Sequence, residues 1–140
     1  MTVDADILEQ LRPENLLTAY AGGAFPMVRH GELLWFRPHV RGLLPLDERF
    51  HLSRSLARTI RRGTYACTVD RAFDAVTACC ARRLEGTWLS EEMRIAYRRL
   101  FDLGFAHSVE AWPADTVGMG EPVGGVYGVH LGGGFFAESM

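Results

Sequence analysis

The runs "FAHSVEAW" (105–112), "VGGVYGVHL" (123–131) and "GFFAESM" (134–140) decide the fold. Each is a short stretch rich in aromatic and β-branched residues, and turn-forming residues separate them, which is the pattern of consecutive strands in a meander. A Gly/Pro-rich loop at 113–122 makes the first connection and Gly132 to Gly134 the second. Working outward, "EEMRIAYRRLFDLG" reads as a helix capped by Ser90, with Met93, Ala96, Tyr97 and Leu100 on one face and Gly104 as the stop. Glu91 and Glu92 in its first turn complement the helix dipole. Asp70 is expected to cap a further helix, "RAFDAVTACCARR", with Phe73, Val76 and Cys80 turned inward.

Earlier still, "YACTV" alternates Tyr65, Cys67 and Val69 against smaller residues, as a half-buried strand does. "HLSRSLARTIRRG" reads as a helix with Ser53 as N-cap, Leu56 and Ile60 as its apolar stripe and Gly63 as its stop. "RPENLLTAYAGGAFP" places Pro13 at the first position of a helix whose face carries Leu16, Leu17 and Tyr20, with Gly22-Gly23 ending it. "ELLWFRP" and "RGLLPL" are strand-like runs bounded by Pro38 and Pro45. Helices followed by a meander indicate an α+β fold rather than a doubly wound parallel sheet.

The 140 residues are 48% apolar and 23% charged, an ordinary globular composition. A net charge of −2 does not mark a basic domain built to coat nucleic acid, although a local basic face is compatible with it. All 15 basic residues are arginine, the cation suited to bidentate phosphate contacts. Apolar stretches fall well short of a bilayer span, and the acidic start "MTVDADILEQ" has neither a basic nor an apolar leader region, so a cytoplasmic protein with no membrane partner is expected. Cys67, Cys79 and Cys80 form no C-x-x-C pair and their number is odd; buried structural thiols are expected, not a disulfide framework or a zinc site.

Nucleotide-binding loops are missing: no G-x-G-x-x-G opens a helix and, without lysine, no phosphate-loop motif exists. No G-x-S-x-G or H-E-x-x-H occurs, and the histidines are scattered. "SRSLARTIRR" is more informative. Arg54, Arg58 and Arg61 fall along one helical ribbon with Arg62 beside it, and no acidic residue lies between His51 and Gly63. This stripe is either a solvated helix face or an RNA-backbone contact. Trp88, just before a helix cap, reads as a core or staple residue. Trp35 and Phe36 are either packing or the wall of a pocket. Glu138 follows an apolar strand start, where a buried unpaired carboxylate is costly; it therefore reaches solvent or expects a cation.

Taken together, "LLTAYAGGAFPM", "LLWFRPHVRGLLPL", "FHLSRSLARTIRRG", "LEGTWLS", "AYRRLFDLGFAHSVEAW", "VGGVYGV" and "FFAESM" resemble, in order and rough spacing, the leucyl/phenylalanyl-tRNA–protein transferase family. The resemblance runs from about Leu16 to Met140. It implies a bacterial enzyme of the N-degron pathway that moves Leu, Phe or Met from an aminoacyl-tRNA to proteins beginning with Arg or Lys. It also implies no metal, no dissociable cofactor and two domains: a small N-terminal domain at 1–41 and a GCN5-related acyltransferase-like (GNAT-like) domain at 42–140. Arg54, Arg61 and Arg62 match positions that bind the tRNA backbone, and Arg58 belongs to the same stripe. Trp88 and Met27, where many members have Trp, match contacts near the substrate 3′ end. Val126, Phe135 and Met140 match the lining of the amino-acid pocket, and Glu138 an acidic residue near the aminoacyl group and incoming peptide.

No catalytic residue is assigned. An Asp and a Gln proposed in the family to handle the amine proton lie beyond "ESM", so the expectation is a C-terminally truncated acyltransferase-like domain, inactive alone, with a bare sheet edge and face. The alternative is a non-catalytic module binding tRNA or N-terminal peptides, possibly with a separate C-terminal chain. An acetyl-CoA-dependent enzyme is a weaker third reading, since the [QR]-x-x-G-x-[GA] pyrophosphate loop is absent.

Overall fold

Asp4 accepts hydrogen bonds from the amides of Asp6 (2.9 Å) and Ile7 (3.2 Å) and so opens α1 (Ala5–Gln10) in a computed structural model that describes residues 3–82 and 86–140. This helix falls in the acidic start, where no element was expected; Ile7 and Leu11 supply its buried anchor. α2 (Pro13–Ala21) begins at the expected proline, buries Leu16 and Tyr20, and stops at Gly22. Gly23 follows at φ 79°, a conformation glycine adopts without penalty, and turns the chain into β1 (Phe25–Arg29). β1 pairs antiparallel with β2 (Glu32–Phe36), the "ELLWFRP" run.

"RGLLPL" is not a strand: Pro45 offers no N–H, no ladder partner runs alongside, and Leu43, Leu44 and Leu46 face solvent. Ser53 caps α3 (Arg54–Arg62) through Leu56 N–H, and Gly63 ends it at φ 63°. Its apolar stripe is exposed, Leu56 at 45% and Ile60 at 60%, since among the described residues no helix or strand packs extensively on it.

β3 (Tyr65–Val69), β4 (Ala106–Pro113), β5 (Gly124–Leu131) and β6 (Gly134–Ser139) form one antiparallel sheet in the order β3-β4-β5-β6, and the last three are the expected meander. α4 (Phe73–Ala81) and α5 (Glu91–Asp102) cover one face of it. The chain is therefore α+β. One apolar core joins α1, α2 and β1 to α4, α5 and the sheet, through Leu11, Leu16, Tyr20, Phe73, Met93, Tyr97 and Tyr127 among others.

Three expectations about this region change. In β3 the inward residues are Ala66 and Thr68; Tyr65, Cys67 and Val69 point to the uncovered face, since Ala66 and Thr68 stand opposite inward-facing Trp112 and Glu110. Cys67 and Cys79 are exposed and only Cys80 is buried. Asp70 does not cap α4. It takes φ 59°, accepts from Ser108 N–H (2.9 Å) and pairs with His107 Nδ1 (2.7 Å). The start of α4 is instead tied down by fully buried Glu110, which accepts from Ala72 N–H (3.2 Å), Ser108 Oγ (2.5 Å) and Thr68 Oγ1.

Ser90 caps α5 as expected, and Glu92 in that first turn is buried rather than merely dipole-complementing. Its carboxylate accepts from Ser90 Oγ (2.7 Å) and Asp4 N–H (2.9 Å), which holds its pKa below the usual range and ties α1 to α5. Among the described residues no helix is long and apolar enough to cross a membrane.

Candidate functional site

β5 and β6 run in simple register from Leu131↔Gly134 to Gly128↔Ala137, and then the pairing shifts so that Tyr127 stands opposite Ser139. Glu138 is the extra residue of this bulge, a device that re-aims a side chain at a sheet edge. Gly128 is a condition of that close pairing: a Cβ there would lie 2.2 Å from the Phe136 carbonyl oxygen and 2.8 Å from Phe135 Cζ.

The carboxyl so placed is half-buried in a cavity wall with the Arg41 charge nearby, and among the described residues its side-chain hydrogen-bond partners are two phenols. Tyr20 Oη donates to Glu138 Oε1 at 2.6 Å, Tyr97 Oη stands 3.2 Å from Oε2, and the two phenol oxygens are 2.8 Å apart. Burial pushes the Glu138 carboxyl above its ordinary range; the tyrosine hydrogen bonds and the nearby Arg41 charge oppose this without cancelling it. Both phenols are driven well up, first by burial, so they remain donors.

Proton counting agrees. Were both phenols to donate to the carboxyl, their own contact would hold no proton; with a neutral carboxyl all three contacts close in a ring, Oε2–H donating to Tyr97, Tyr97 to Tyr20 and Tyr20 to Oε1. Tyr20 and Tyr97 had read as helix-face core residues; the signal that could have marked them is that a buried tyrosine hydroxyl needs a partner.

Glu138 sits at one side of a cavity of about 180 Å³ lined by Phe25, Met27, Arg41, Trp88 and Ala137. Met27 enters from β1, Arg41 from the irregular segment after β2. Trp88 is half-buried against the core, and its carbonyl accepts from Val28 N–H (3.3 Å), which fastens the "GTW" turn to β1. Glu85 of "EGTW" lies outside the described residues. The structure thus brings together Met27, Trp88 and Glu138. It does not bring Trp35 there: opposite Pro26 in the β1–β2 pairing, Trp35 is on the other face of the hairpin from Met27. Val126 and Phe135 are on the uncovered face of the sheet, and Met140 is exposed just past β6. Arg41 and Phe25 line the site without having been expected there.

Arg54, Arg58, Arg61 and Arg62 are all exposed on α3, and none makes an ion pair among the described residues, whose ion pairs engage other arginines. They form a cationic surface separate from the cavity lining.

Residues 43–140 match the family model described as leucyl/phenylalanyl-tRNA protein transferase, and residues 9–39 match the model of its N-terminal domain. The chain is 53% identical over 137 residues to a leucyl/phenylalanyl-tRNA–protein transferase of Anaeromyxobacter sp. (strain Fw109-5). Identity is 52% over 135 residues with that of Desulfatibacillum aliphaticivorans and 48% over 132 residues with that of Herpetosiphon aurantiacus. These alignments cover 93%, 93% and 94% of this chain but 55%, 55% and 66% of the relatives, so the chain spans somewhat more than half of their length. A family match over most of its residues, in both parts of the fold, shows that the chain belongs to the leucyl/phenylalanyl-tRNA–protein transferase family.

Proposed function

We propose that this chain carries the aminoacyl-end binding site of an enzyme that transfers Leu, Phe or Met from aminoacyl-tRNA to the N-terminal Arg or Lys of a protein, in a bacterial N-degron pathway. The observation that carries the reading is the half-buried carboxyl of Glu138 in a cavity whose other walls are Phe25, Met27, Arg41, Trp88 and Ala137. The small N-terminal domain would end near Arg41 and a GNAT-like domain begin near Gly42, a division supported by two family models that match 9–39 and 43–140. The protein would act in the cytoplasm without a cofactor.

In the reaction the neutral α-amine of the acceptor attacks the ester carbonyl. A peptide bond forms, the ester C–O bond breaks, and the amine proton ends on the departing ribose oxygen. The ester is already activated, so alignment is the main task and can contribute about 7–11 kcal/mol. Apolar walls discriminate by about 1–3 kcal/mol per methylene, consistent with accepting Leu, Phe and Met over smaller residues. Val126, Phe135 and Met140 are proposed as further lining for the amino-acid side chain, and Trp35 as a secondary aromatic contact. As the cationic acceptor arrives, Glu138 gives its proton to water and holds the acceptor by a charge-assisted hydrogen bond.

Proton transfer, worth about 10²–10⁴ in rate, is assigned by family resemblance to an Asp and a Gln that no residue up to Met140 matches. Labelled Leu-tRNA and an Arg-starting peptide should therefore give little product with the 140-residue chain, while a 53% identical relative transfers leucine. Transfer at the relative's rate by this chain would refute the missing proton-handling groups. Failure of the chain to bind Leu-tRNA would refute the site itself.

A further inference from the structure

On the hairpin of β1 and β2, Phe25, Met27 and Arg29 share one face with their cross-strand partners Phe36, Leu34 and Glu32. Four of these side chains and one neighbour form an ordered series. The Arg41 guanidinium carbon sits 4.8 Å from the Phe25 ring centroid, Phe25 and Phe36 stack at 6.0 Å and 24°, and the Arg29 guanidinium carbon lies 5.5 Å from the Phe36 ring. Met27 fills in beside Phe25. Neither Arg29 nor Arg41 has a carboxylate within ion-pair distance among the described residues, although exposed Glu32 stands across from Arg29 in register. The contact Arg41 does make, to the Gly23 carbonyl, is long at 3.5 Å. The series starts inside the cavity, at Arg41, Phe25 and Met27, and leads away from Glu138 along the hairpin.

We propose that this hairpin face is a single-stranded RNA platform, on which the nucleotides just 5′ of the aminoacylated end take the places of the Arg41 and Arg29 guanidiniums over Phe25 and Phe36 while the two arginines swing out to meet their phosphates. Sequence-tolerant RNA binding combines these two elements: aromatic faces that any base can stack on, and cations that track the backbone. Both guanidiniums are within a side-chain swing of a base seated on the ring they now cover, which places them at its phosphate. A peptide partner would not need unpaired cations at both ends of the aromatic pair. The platform rests on the proposed function, because it takes the RNA's 3′ end to lie in the cavity, and it adds a surface distinct from the arginine stripe of α3.

The test uses the 140-residue chain and a short, non-aminoacylated single-stranded RNA carrying 2-aminopurine next to its 3′-terminal nucleotide, with affinity followed against salt. Phe36→Leu should weaken binding by about tenfold, the loss of one base–aromatic stack, and relieve the quenching of 2-aminopurine. Arg29→Gln and Arg41→Gln should each flatten the slope of log affinity against log salt by about 0.7. Arg49→Gln, whose guanidinium is held by Asp47 at 2.6 Å, should leave the slope unchanged. Arg29 is exposed, so its variant tests the surface without risk to the core.

Wild-type affinity in Phe36→Leu, an unaltered slope in Arg29→Gln, an equal loss in Arg49→Gln, or no RNA binding by the parent chain would each overturn the platform. The two proposals fail separately. A leucine-transferring relative whose RNA binding ignores the hairpin sinks the platform alone, whereas hairpin-dependent RNA binding without any leucine transfer by that relative sinks the proposed function alone.

Discussion

Replacing Glu138 by Gln tests whether the carboxyl in the cavity is neutral in the free protein. In the ring formed with Tyr20 and Tyr97, a glutamine places an oxygen to accept from Tyr20 and an N–H to donate to Tyr97, leaving the Tyr97 hydroxyl for Tyr20 across their 2.8 Å contact. It therefore reproduces the protonated acid and removes only the option of ionising. Burial raises the folded-state pKa of Glu138, so between the unfolded value near 4.5 and the folded value the native state binds more protons than the unfolded one. The wild-type protein then has its full share of stability from this group below pH 4.5 and loses it as pH rises through the folded pKa. Each unit of elevation is worth about 1.4 kcal/mol. At that rate Glu138→Gln should match wild type near pH 4 and exceed it at neutral pH by roughly 5 °C in melting temperature per unit of elevation, for a chain of this size. Thermal melts of both proteins across pH 4–8 measure the gap. A gap that does not grow with pH, or a glutamine variant less stable than wild type at neutral pH, would refute the neutral ring.

Gly128→Ala should cost about 3 kcal/mol in urea unfolding, because its methyl group would meet the Phe136 carbonyl, whereas Gly124→Ala, with its nearest neighbour at 4.0 Å, should stay within about 0.5 kcal/mol. Glu110→Leu should destabilise by about 3 kcal/mol by orphaning the Thr68, Ser108 and Ala72 donors; an unchanged urea midpoint would count against a structural role for that carboxylate. The double change Arg58→Gln with Arg61→Gln should reduce the salt slope of tRNA binding by about 0.9 per lost phosphate contact, and an unchanged slope would remove α3 from the interface.

Elements whose signals are local were legible. Ser53 and Ser90 cap α3 and α5 because a hydroxyl before an amphipathic run satisfies free amides, and the meander followed from turn residues between three strand-like runs. Where the deciding interaction is remote in sequence, the reading failed. Asp70 looks like a helix cap from its neighbours alone, yet Ser108 and His107, 38 and 37 residues away, claim it and leave the helix start to Glu110. Periodicity identified β3 but not its phase, since alternation cannot say which face meets a helix; only pairing with Trp112 and Glu110 sets Ala66 and Thr68 inward.

The site divides in the same way. Met27, Trp88 and Glu138 could be named from motifs, but what makes Glu138 unusual could not. Continuing the register from Gly128↔Ala137 would set Glu138 directly opposite Tyr127, a fully buried residue. The bulge gives that place to Ser139 and sends the carboxyl to Tyr20 and Tyr97, 118 and 41 residues away in sequence. A glycine at 128 permits this register change without announcing it, because a strand glycine also serves ordinary close packing, as Gly125 does against Val76. The chemistry of the pocket thus rests on pairing as well as on sequence: Glu138 shares the covered face with Phe136, Ser139 takes the place opposite buried Tyr127, and the carboxyl is left to close a ring with Tyr20 and Tyr97.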